Sequence, residues 1–350
     1  MKKTVPFLLA LVLLVSLFGG CAPKTEEPSN PDIALEQPTP TPEEIPAPVQ
    51  KDSFSIATLK GPTTMGLVKL LADAEEGLLN YDISSELYGT PDEITALIIG
   101  GQVDMAAVPC NLASVLYNKT NGAIQVVAIN TLGVLNVLEL GEEINSIADL
   151  KGKTIYSTGK GATPEYVLNA VLLANGIDPA TDVTIEFKSE STEIAALLTG
   201  DSAVPGSIAV LPQPYATTVL VKNPDARIAL DLTEEWVDAE IDGNLITGVF
   251  VARRSFSTMK ADLINNFLAD YAKSAAWVNA NNTEASEMIA ALEIVADAKI
   301  AEKALPHCAI VAIAGEDMKG NVAAYLKALF EQSPASVGGA LPGNDFYFGA

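Results

Sequence analysis

The chain has 350 residues, of which 49% are hydrophobic, and this is enough apolar material for two domains with cores of their own. Its formal net charge at pH 7 is −23, from 21 basic and 44 acidic residues. Because nucleic-acid-binding proteins carry basic patches that neutralise phosphates, this balance argues against a nucleic acid as partner.

The N-terminus has the pattern of an export signal. Lys2 and Lys3 form a basic start, and residues 5–17 are an apolar run of 13 residues. A bilayer span needs roughly 20 such residues, so this run is too short to cross a membrane. It ends in the sequence LFGGC, and small residues before a cysteine are typical of a bacterial lipoprotein cleavage site. We predict a signal peptide over residues 1–20 and lipidation of Cys21; an ordinary secretory signal with an incidental cysteine is the alternative.

The next segment has the composition of a tether. Residues 22–52 are rich in proline, glutamate, threonine and alanine and contain no aromatic residue. Such a composition cannot bury enough apolar surface to fold, and its prolines favour an extended form of about 3.1 Å per residue. We therefore predict that residues 21–52 comprise the lipid anchor and a disordered stalk that lifts a folded body from a membrane.

The folded body begins with a predicted strand at residues 54–59, where the side chains alternate in character. Strand and helix patterns then alternate along the chain, which is typical of an α/β fold with mostly parallel sheets. The predicted helices cover residues 65–73, 94–99, 166–174, 194–198 and 263–280.

The body also contains an internal repeat. Residues 58–63 and residues 158–163 share the pattern T-x-K-G-x-T at an offset of 100 positions. The same offset aligns the pattern E-I-x-A-L-x-x-G at residues 93–100 with its copy at residues 193–200. A third landmark, a short apolar strand that ends in proline, recurs at Pro109 and Pro212. We predict two similar three-layer α/β lobes with mostly parallel sheets.

Ligands of such folds bind beyond the carboxyl ends of the strands. The repeated loops at residues 60–64 and 159–163 each follow a first strand and lead into a helix. We predict Thr163 as the N-cap of its helix and Pro164 as the first helical residue. Helix N-termini attract anions and polar oxygens, so these loops are predicted to line a cleft. Two ordinary capped turns that touch nothing are the alternative. A nucleotide-binding phosphate loop is disfavoured, because no Ser or Thr directly follows Lys160.

Further loops are predicted to face the same cleft. Thr90 and Glu93 have the spacing of a capping box, and capping alone would explain them equally well. Asn111 and Gln213 follow matching strands of the two lobes and offer neutral donors and acceptors. Tyr215 is a candidate for stacking on a ligand or for core packing. The predicted ligand-binding residues are Lys60, Gly61, Thr63, Thr64, Thr90, Cys110, Asn111, Thr131, Lys160, Gly161, Ala162, Thr163, Gln213 and Tyr215.

Two β runs are predicted to connect the lobes. One ends at residues 130–133, and the other covers residues 245–251 before the C-terminal helices. This places residues 53–131 and 248–350 in lobe I and residues 132–247 in lobe II. Closure of the two lobes about these hinges is the expected motion.

The remaining reactive residues are few. Cys110 and Cys308 are either free or bridged, and both possibilities are open in an exported chain. His307 is the only histidine, which leaves little for a His-based catalytic triad or a His-rich zinc site. We predict no catalytic residues, no metal and no cofactor.

Three segments carry a resemblance to a known family. The segment IADLKGKTI at residues 147–155 resembles the DLKGK entry to the second lobe of bacterial ABC-transporter solute-binding proteins, in the sulfonate-, nitrate- and thiamine-precursor-binding group. The segment IIGGQVDMA at residues 98–106 resembles that group's L-x-x-G-x-x-D element. The segment LPQPYA at residues 211–216 resembles its P-E-P loop, with Gln213 in place of the usual glutamate.

The resemblance implies a periplasmic-binding-protein type II fold and a receptor that delivers a small solute to an ABC permease and its ATPase. It implies a lipid-anchored monomer at the outer face of the cytoplasmic membrane. Two helix N-termini with Lys60 and Lys160 favour an anionic solute that is sulfonate- or carboxylate-like. Alternatives are a neutral heteroaromatic such as a thiamine-precursor pyrimidine, an enzyme of the same fold, and a surface signalling or adhesion protein.

Overall fold

The computed structural model describes residues 51–200 and 203–349. The predicted signal peptide, Cys21 and the stalk lie outside the described residues, except for its last positions. The strands are β1 (Asp52–Leu59), β2 (Tyr81–Tyr88), β3 (Met105–Pro109), β4 (Ile124–Leu132), β5 (Leu135–Glu139), β6 (Thr154–Ser157), β7 (Thr184–Phe187), β8 (Ile208–Pro212), β9 (Arg227–Asp231), β10 (Ile246–Arg253) and β11 (Ile310–Ile313).

Helices connect these strands, as the alternating pattern predicts. They are α1 (Pro62–Met65), α2 (Val68–Glu75), α3 (Pro91–Ile99), α4 (Cys110–Lys119), α5 (Thr163–Ala174), α6 (Ser191–Thr199), α7 (Tyr215–Lys222), α8 (Leu232–Asp238), α9 (Arg254–Met259), α10 (Ala261–Ala280), α11 (Asn282–Ala291), α12 (Ala298–Ala304) and α13 (Gly315–Gln332). Short 3₁₀ helices lie at Ile147–Leu150, Leu305–His307, Pro334–Val337 and Asn344–Phe346. Over the described ranges, no helix combines the length and the apolar character needed to cross a membrane.

The strands form two sheets that share one order over five strands, read in opposite directions, and β11 adds a sixth strand to the first. The first sheet runs β11-β4-β10-β3-β1-β2, and the second runs β7-β6-β8-β5-β9. In the first sheet, β1 is parallel to β2 and β3, while β10 is antiparallel to β3 and β4. In the second, β6 is parallel to β7 and β8, while β5 is antiparallel to β8 and β9. The predicted pair of similar α/β lobes is therefore confirmed.

The chain passes between the sheets twice. The first crossing joins β4 to β5 through Gly133 and Val134, and the second joins α8 to β10 through residues 239–245. Each strand that follows a crossing, β5 in the second sheet and β10 in the first, is antiparallel to its neighbours, and β11 adds a second antiparallel strand at the edge of the first sheet. Both crossings lie at the β runs that the sequence analysis identified.

One predicted helix is divided in the structure. The expected helix at residues 65–73 is replaced by α1 and α2, with Gly66 and Leu67 between them. A Cβ at Gly66 would lie 2.6 Å from the hydroxyl of Tyr271, so this glycine lets the turn pack directly against α10. The close approach depends on tertiary packing that periodicity along the chain does not show.

An apolar core continues from one lobe to the other beside the crossings. Helix α13 packs against α4 and β4 of the first lobe and also against α5 of the second. Its Tyr325 ring lies 5.7 Å from the ring of Trp236 on α8, and both side chains are fully buried. Burial of two large aromatic rings favours contact between the lobes at this place.

Candidate ligand-binding cleft

The candidate cleft lies where strand ends and helix starts of the two lobes meet. Helices α1 and α4 follow β1 and β3 in the first lobe, and α5 and α7 follow β6 and β8 in the second. The Thr163 hydroxyl on α5 donates to Asn111 Oδ1 on α4 over 3.2 Å, and both residues are buried. This hydrogen bond crosses from one lobe to the other and brings two of the predicted site residues together.

Both the nitrogen and the oxygen of the Asn111 amide have partners within the protein. Its Nδ2 donates to the carbonyl of Ser336 over 3.1 Å, while its oxygen accepts from Thr163. Tyr325 lies close to Thr163. The buried hydroxyl of Tyr325 has no well-formed hydrogen bond among the described residues. Burial raises the pKa of Tyr325, and the Thr163 hydroxyl partly offsets that rise. Tyr325 could not be identified from the sequence, because the amphipathic pattern of α13 indicates a core helix but not which elements it joins.

The first predicted loop is shaped by its own hydroxyl groups. Gly61 has a φ of 129°, a conformation that glycine adopts without strain. The hydroxyls of Thr63 and Thr64 both approach the carbonyl of Leu59, and both threonines are buried. Lys60 is exposed beside them.

The second loop already holds a carboxylate from the protein itself. The backbone N–H of Gly161 donates to the side chain of Glu165. Helix α5 begins at Thr163 with Ala162 as its N-cap, so the predicted cap at Thr163 is wrong by one position. This shift frees the Thr163 hydroxyl for Asn111. Lys160 lies over the ring of Phe187, with Nζ 5.8 Å from the ring centroid, rather than beside Thr163.

In the second lobe, Gln213 is held tightly at the start of α7. Its Oε1 accepts hydrogen bonds from the backbone N–H of Thr217 over 3.2 Å and from the Thr217 hydroxyl over 2.7 Å. Its own backbone N–H donates to the carbonyl of Val134 in the first crossing over 3.0 Å. The peptide bond from Gln213 to Pro214 is cis. Gln213 is therefore attached to both α7 and the crossing.

Another buried amide, Asn130, lies near the end of β4. The Thr131 hydroxyl donates to Asn130 Oδ1 over 2.9 Å, and Asn130 Nδ2 is buried without a partner among the described residues. A Cβ at Gly248 would lie 2.4 Å from Thr63 Cγ2 and 2.5 Å from Asn130 Oδ1, so these two side chains meet above Gly248. The sequence pattern marks Asn130 only as part of a crossing, although an amide within an apolar strand is itself a signal of a polar site.

A cavity of about 460 Å³ opens between the lobes beside this region. Lys60 lines it from the first lobe, and Tyr215 and Lys222 line it from the second. Glu293 and Asp297, which both precede α12, supply acidic groups on the same cavity. The structure thus brings Lys60 and Tyr215 to one cavity, with positive and negative side chains both present.

Two other predicted site residues have roles within the protein. The backbone N–H and the hydroxyl of Thr90 both donate to the Glu93 carboxylate, over 3.1 and 2.9 Å, so the predicted capping box forms. Cys110 is fully buried in the apolar core, and burial raises the pKa of its thiol. Its side chain is therefore a protonated thiol at neutral pH and a poor nucleophile.

The arginines are all engaged in ion pairs with carboxylates of the protein. Arg227 pairs with Glu139, Arg253 with Asp104 and Arg254 with Asp345. The cationic groups of the cleft are consequently the lysines of the cavity, and its other polar groups are hydroxyls, amides and the carboxylates of Glu293 and Asp297.

Solved structures share this fold. An ABC transporter from Parabacteroides distasonis matches with a TM-score of 0.70 at 20% identity, over 85% of this chain and 99% of that one. The alkanesulfonate-binding protein SsuA from Xanthomonas axonopodis pv. citri, bound to MOPS, matches with a TM-score of 0.62 at 16% identity, over 85% and 96%. The aliphatic sulphonate binding protein SsuA from Escherichia coli matches with a TM-score of 0.65 at 18% identity, over 81% and 88%.

These likenesses establish a periplasmic-binding-protein type II fold. No curated protein matches the sequence. The family model described as NMT1/THI5 like matches residues 82–285. Because that match covers more than half of the chain, the chain belongs to the NMT1/THI5-like family.

Proposed function

We propose that this protein is the solute-binding receptor of an ABC importer and captures a small organic solute between its two lobes. The observation that carries the proposal is the hydrogen bond from Thr163 to Asn111, which joins the helix starts of opposite lobes. Two chain crossings allow the lobes to separate and close about this point. Solute-binding proteins among the fold relatives agree with this role.

The same proposal includes the location and the partners. Cys21 would carry the lipid anchor, and residues 22–52 would hold the lobes away from the outer face of the cytoplasmic membrane. A permease and its ATPase would receive the solute and supply the energy of transport. The closed lobes would present one continuous surface to that permease, as a monomer.

Two solute classes have support from specific contacts. Lys60 and Lys222 on the cavity favour a sulfonate or carboxylate anion. Two observations argue against a strong preference for anions. The Glu165 carboxylate already accepts the hydrogen bond from the Gly161 N–H. The acidic side chains of Glu293 and Asp297 also line the cavity. Tyr215 on that cavity favours the second class, a neutral heteroaromatic such as a thiamine-precursor pyrimidine.

A thermal-shift screen of the purified protein tests the proposal. The panel holds sulfonates, nitrate, carboxylates, pyrimidines and other small aromatics, and a solute that binds only the folded state raises the melting temperature. We expect at least one hit, accompanied by a smaller radius of gyration in solution scattering as the lobes close. Conversion of a hit into a product would instead support an enzyme of the same fold.

A further inference from the structure

Another cavity lies in the first lobe, away from the cleft between the lobes. Its volume is about 500 Å³, and it is lined by the end of α3, the start of β4 and helix α9. Arg253, the last residue of β10, pairs with Ile124 of β4, and both line the cavity. Gly248 of the cleft region lies five residues earlier on β10, about 17 Å away at the rise of roughly 3.4 Å per strand residue. The cavity therefore lies at the opposite end of the sheet from the cleft.

Apolar surface makes up most of the lining. Ile98 and Ile99 come from α3, Ile124 from β4 and Met259 from α9. Ile99 is 49% exposed and Met259 is 74% exposed, so the folded protein leaves both side chains in contact with solvent. The volume lies within the roughly 300–1,000 Å³ that is typical of small-molecule sites. Exposed apolar walls around such a volume favour an alkyl chain as the occupant.

The charged side chains of the lining are both basic. Arg253 and Arg254 line the cavity, and no acidic side chain does so among the described residues. The cavity between the lobes differs in this respect, because Glu293 and Asp297 line it. The whole chain has 44 acidic and 21 basic residues, so a cavity with two arginines and no carboxylate departs from the general charge of the protein. This local excess of positive charge favours an anion.

Both guanidinium groups are held by the protein and keep donors for a ligand. Arg253 donates from Nε to the Val103 carbonyl and from Nη2 to Asp104. Arg254 likewise donates from Nε to a backbone carbonyl and from Nη2 to Asp345. Within residues 51–200 and 203–349, Nη1 of neither arginine donates to a protein atom. An arginine with two fixed nitrogens and a third one unused is suited to bind the oxygens of a carboxylate.

We propose that this cavity binds a free single-chain amphiphile with an anionic head group, such as a fatty acid. Its alkyl chain lies against Ile99 and Met259, and its carboxylate binds Arg253 and Arg254. The combination of apolar walls, two arginines and no lining carboxylate carries the assignment. The site is separate from the cleft and does not depend on the proposed receptor function.

Calorimetric titration of the full-length protein tests the site. The protein is held in lipid discs of zwitterionic phosphatidylcholine, and empty discs give the blank. The probe is octanoate. Acetate has the same head group without the chain, and octylammonium has the same chain length with the opposite charge. We expect octanoate to bind with one-to-one stoichiometry, and hexanoate to bind about fourfold more weakly for each CH₂ group that it lacks. Acetate and octylammonium should show no binding above the blank, and octylammonium binding as tightly as octanoate would overturn the assignment.

Substitutions at Met259 separate charge from shape. Met259→Glu adds a carboxylate to the cavity wall at an exposed position, so the fold should be retained and octanoate should bind about tenfold or more weakly. Met259→Gln has nearly the same shape without the charge and should cost only a few-fold. Val237→Glu adds the same charge at a 65% exposed residue of α8 in the other lobe, and it should keep the original affinity. Melting temperatures of all variants report folding.

The outcomes distinguish this site from the proposed receptor function. Octanoate that binds all three variants with the original affinity lies elsewhere, as a carboxylate solute of the cleft would. That result overturns the site and supports the receptor. Failure of octanoate to bind the unchanged protein also overturns the site, and it leaves the receptor to the thermal-shift panel. Octanoate that is displaced when a third of the disc lipid is anionic phosphatidylglycerol would assign the cavity to a membrane surface instead of a free amphiphile.

Discussion

Asp104 links three strands of the first lobe through one carboxylate. Its Oδ2 accepts the backbone N–H and the hydroxyl of Ser55 on β1, over 3.0 and 3.1 Å. Its Oδ1 accepts from the Arg253 guanidinium at the end of β10. Asp104 itself lies just before β3, which β1 and β10 flank. The aspartate of the resembled L-x-x-G-x-x-D element therefore aligns strands and does not contact the cleft.

Replacement of Asp104 should destabilise the fold. Asp104→Ala removes two hydrogen bonds to a charged acceptor and leaves Arg253 partly buried without its ion pair, so we expect the free energy of unfolding to fall by about 2–4 kcal/mol. Urea denaturation followed by circular dichroism measures this. Glu287→Ala, an exposed position on α11, is the control and should change stability by less than about 0.5 kcal/mol. An equally small effect at Asp104 would contradict the assigned role.

The two cysteines in the described residues should be unreactive in the native protein. Cys110 and Cys308 are free and buried, and burial raises the pKa of the Cys308 thiol to about 12. A thiol reagent at pH 8 should modify neither residue until urea unfolds the protein, when both react. Because the folded pKa lies above the unfolded value, the associated stability is present below about pH 9 and declines as pH rises toward 12. Rapid native labelling of Cys110 would show that its first helical turn opens readily.

At the scale of elements, the sequence predicted what local patterns encode. The offset of 100 positions corresponds to equivalent elements of the two sheets, β1 with β6 and α3 with α6, because each copy keeps its own strand and helix pattern. Contacts between distant segments were not predictable in this way. Tyr325 reaches Thr163 only through the packing of α13 against α5, and Gly66 divides a helix only because Tyr271 approaches it. The side chains of Lys60 and Lys160 diverge for a similar reason, since Phe187 of the neighbouring strand β7 contacts Lys160.

Two glycine substitutions should have opposite effects on stability. Gly248 lies on β10 where α1 packs closely, whereas Gly320 lies in α13 with open space beside it. At Gly248, a Cβ would overlap Thr63 and Asn130, so Gly248→Ala should destabilise the protein by about 1–3 kcal/mol and weaken solute binding. At Gly320 in α13, no atom lies within 4 Å of an added Cβ, so Gly320→Ala should stabilise by up to about 1 kcal/mol. Thermal denaturation compares the two variants. A stable Gly248→Ala protein with normal binding would mean that α1 does not pack on this strand in solution.

For the whole molecule, two kinds of contact hold the lobes together. Tyr325 and Trp236 give an apolar contact that adjoins the crossings. The hydrogen bond between Thr163 and Asn111 is polar, and water can replace it when the lobes separate. This difference suggests that the apolar contact persists while the polar one opens and closes with the solute.

Thr163→Val tests this view of closure. The substitution keeps the shape of the side chain but leaves Asn111 Oδ1 without its cross-lobe donor, which would cost about 1–3 kcal/mol if the cleft stayed shut. Opening exposes that oxygen to water and avoids the cost, so the protein should remain folded with a larger radius of gyration in solution scattering. Solute affinity should fall, because part of the binding free energy must then close the lobes. Thr120→Val is the matched control, since the Thr120 hydroxyl bonds the Leu116 carbonyl within one lobe over 2.7 Å. If Thr163→Val unfolds at the original temperature and scatters like the unchanged protein, the hydrogen bond does not govern the balance between open and closed forms.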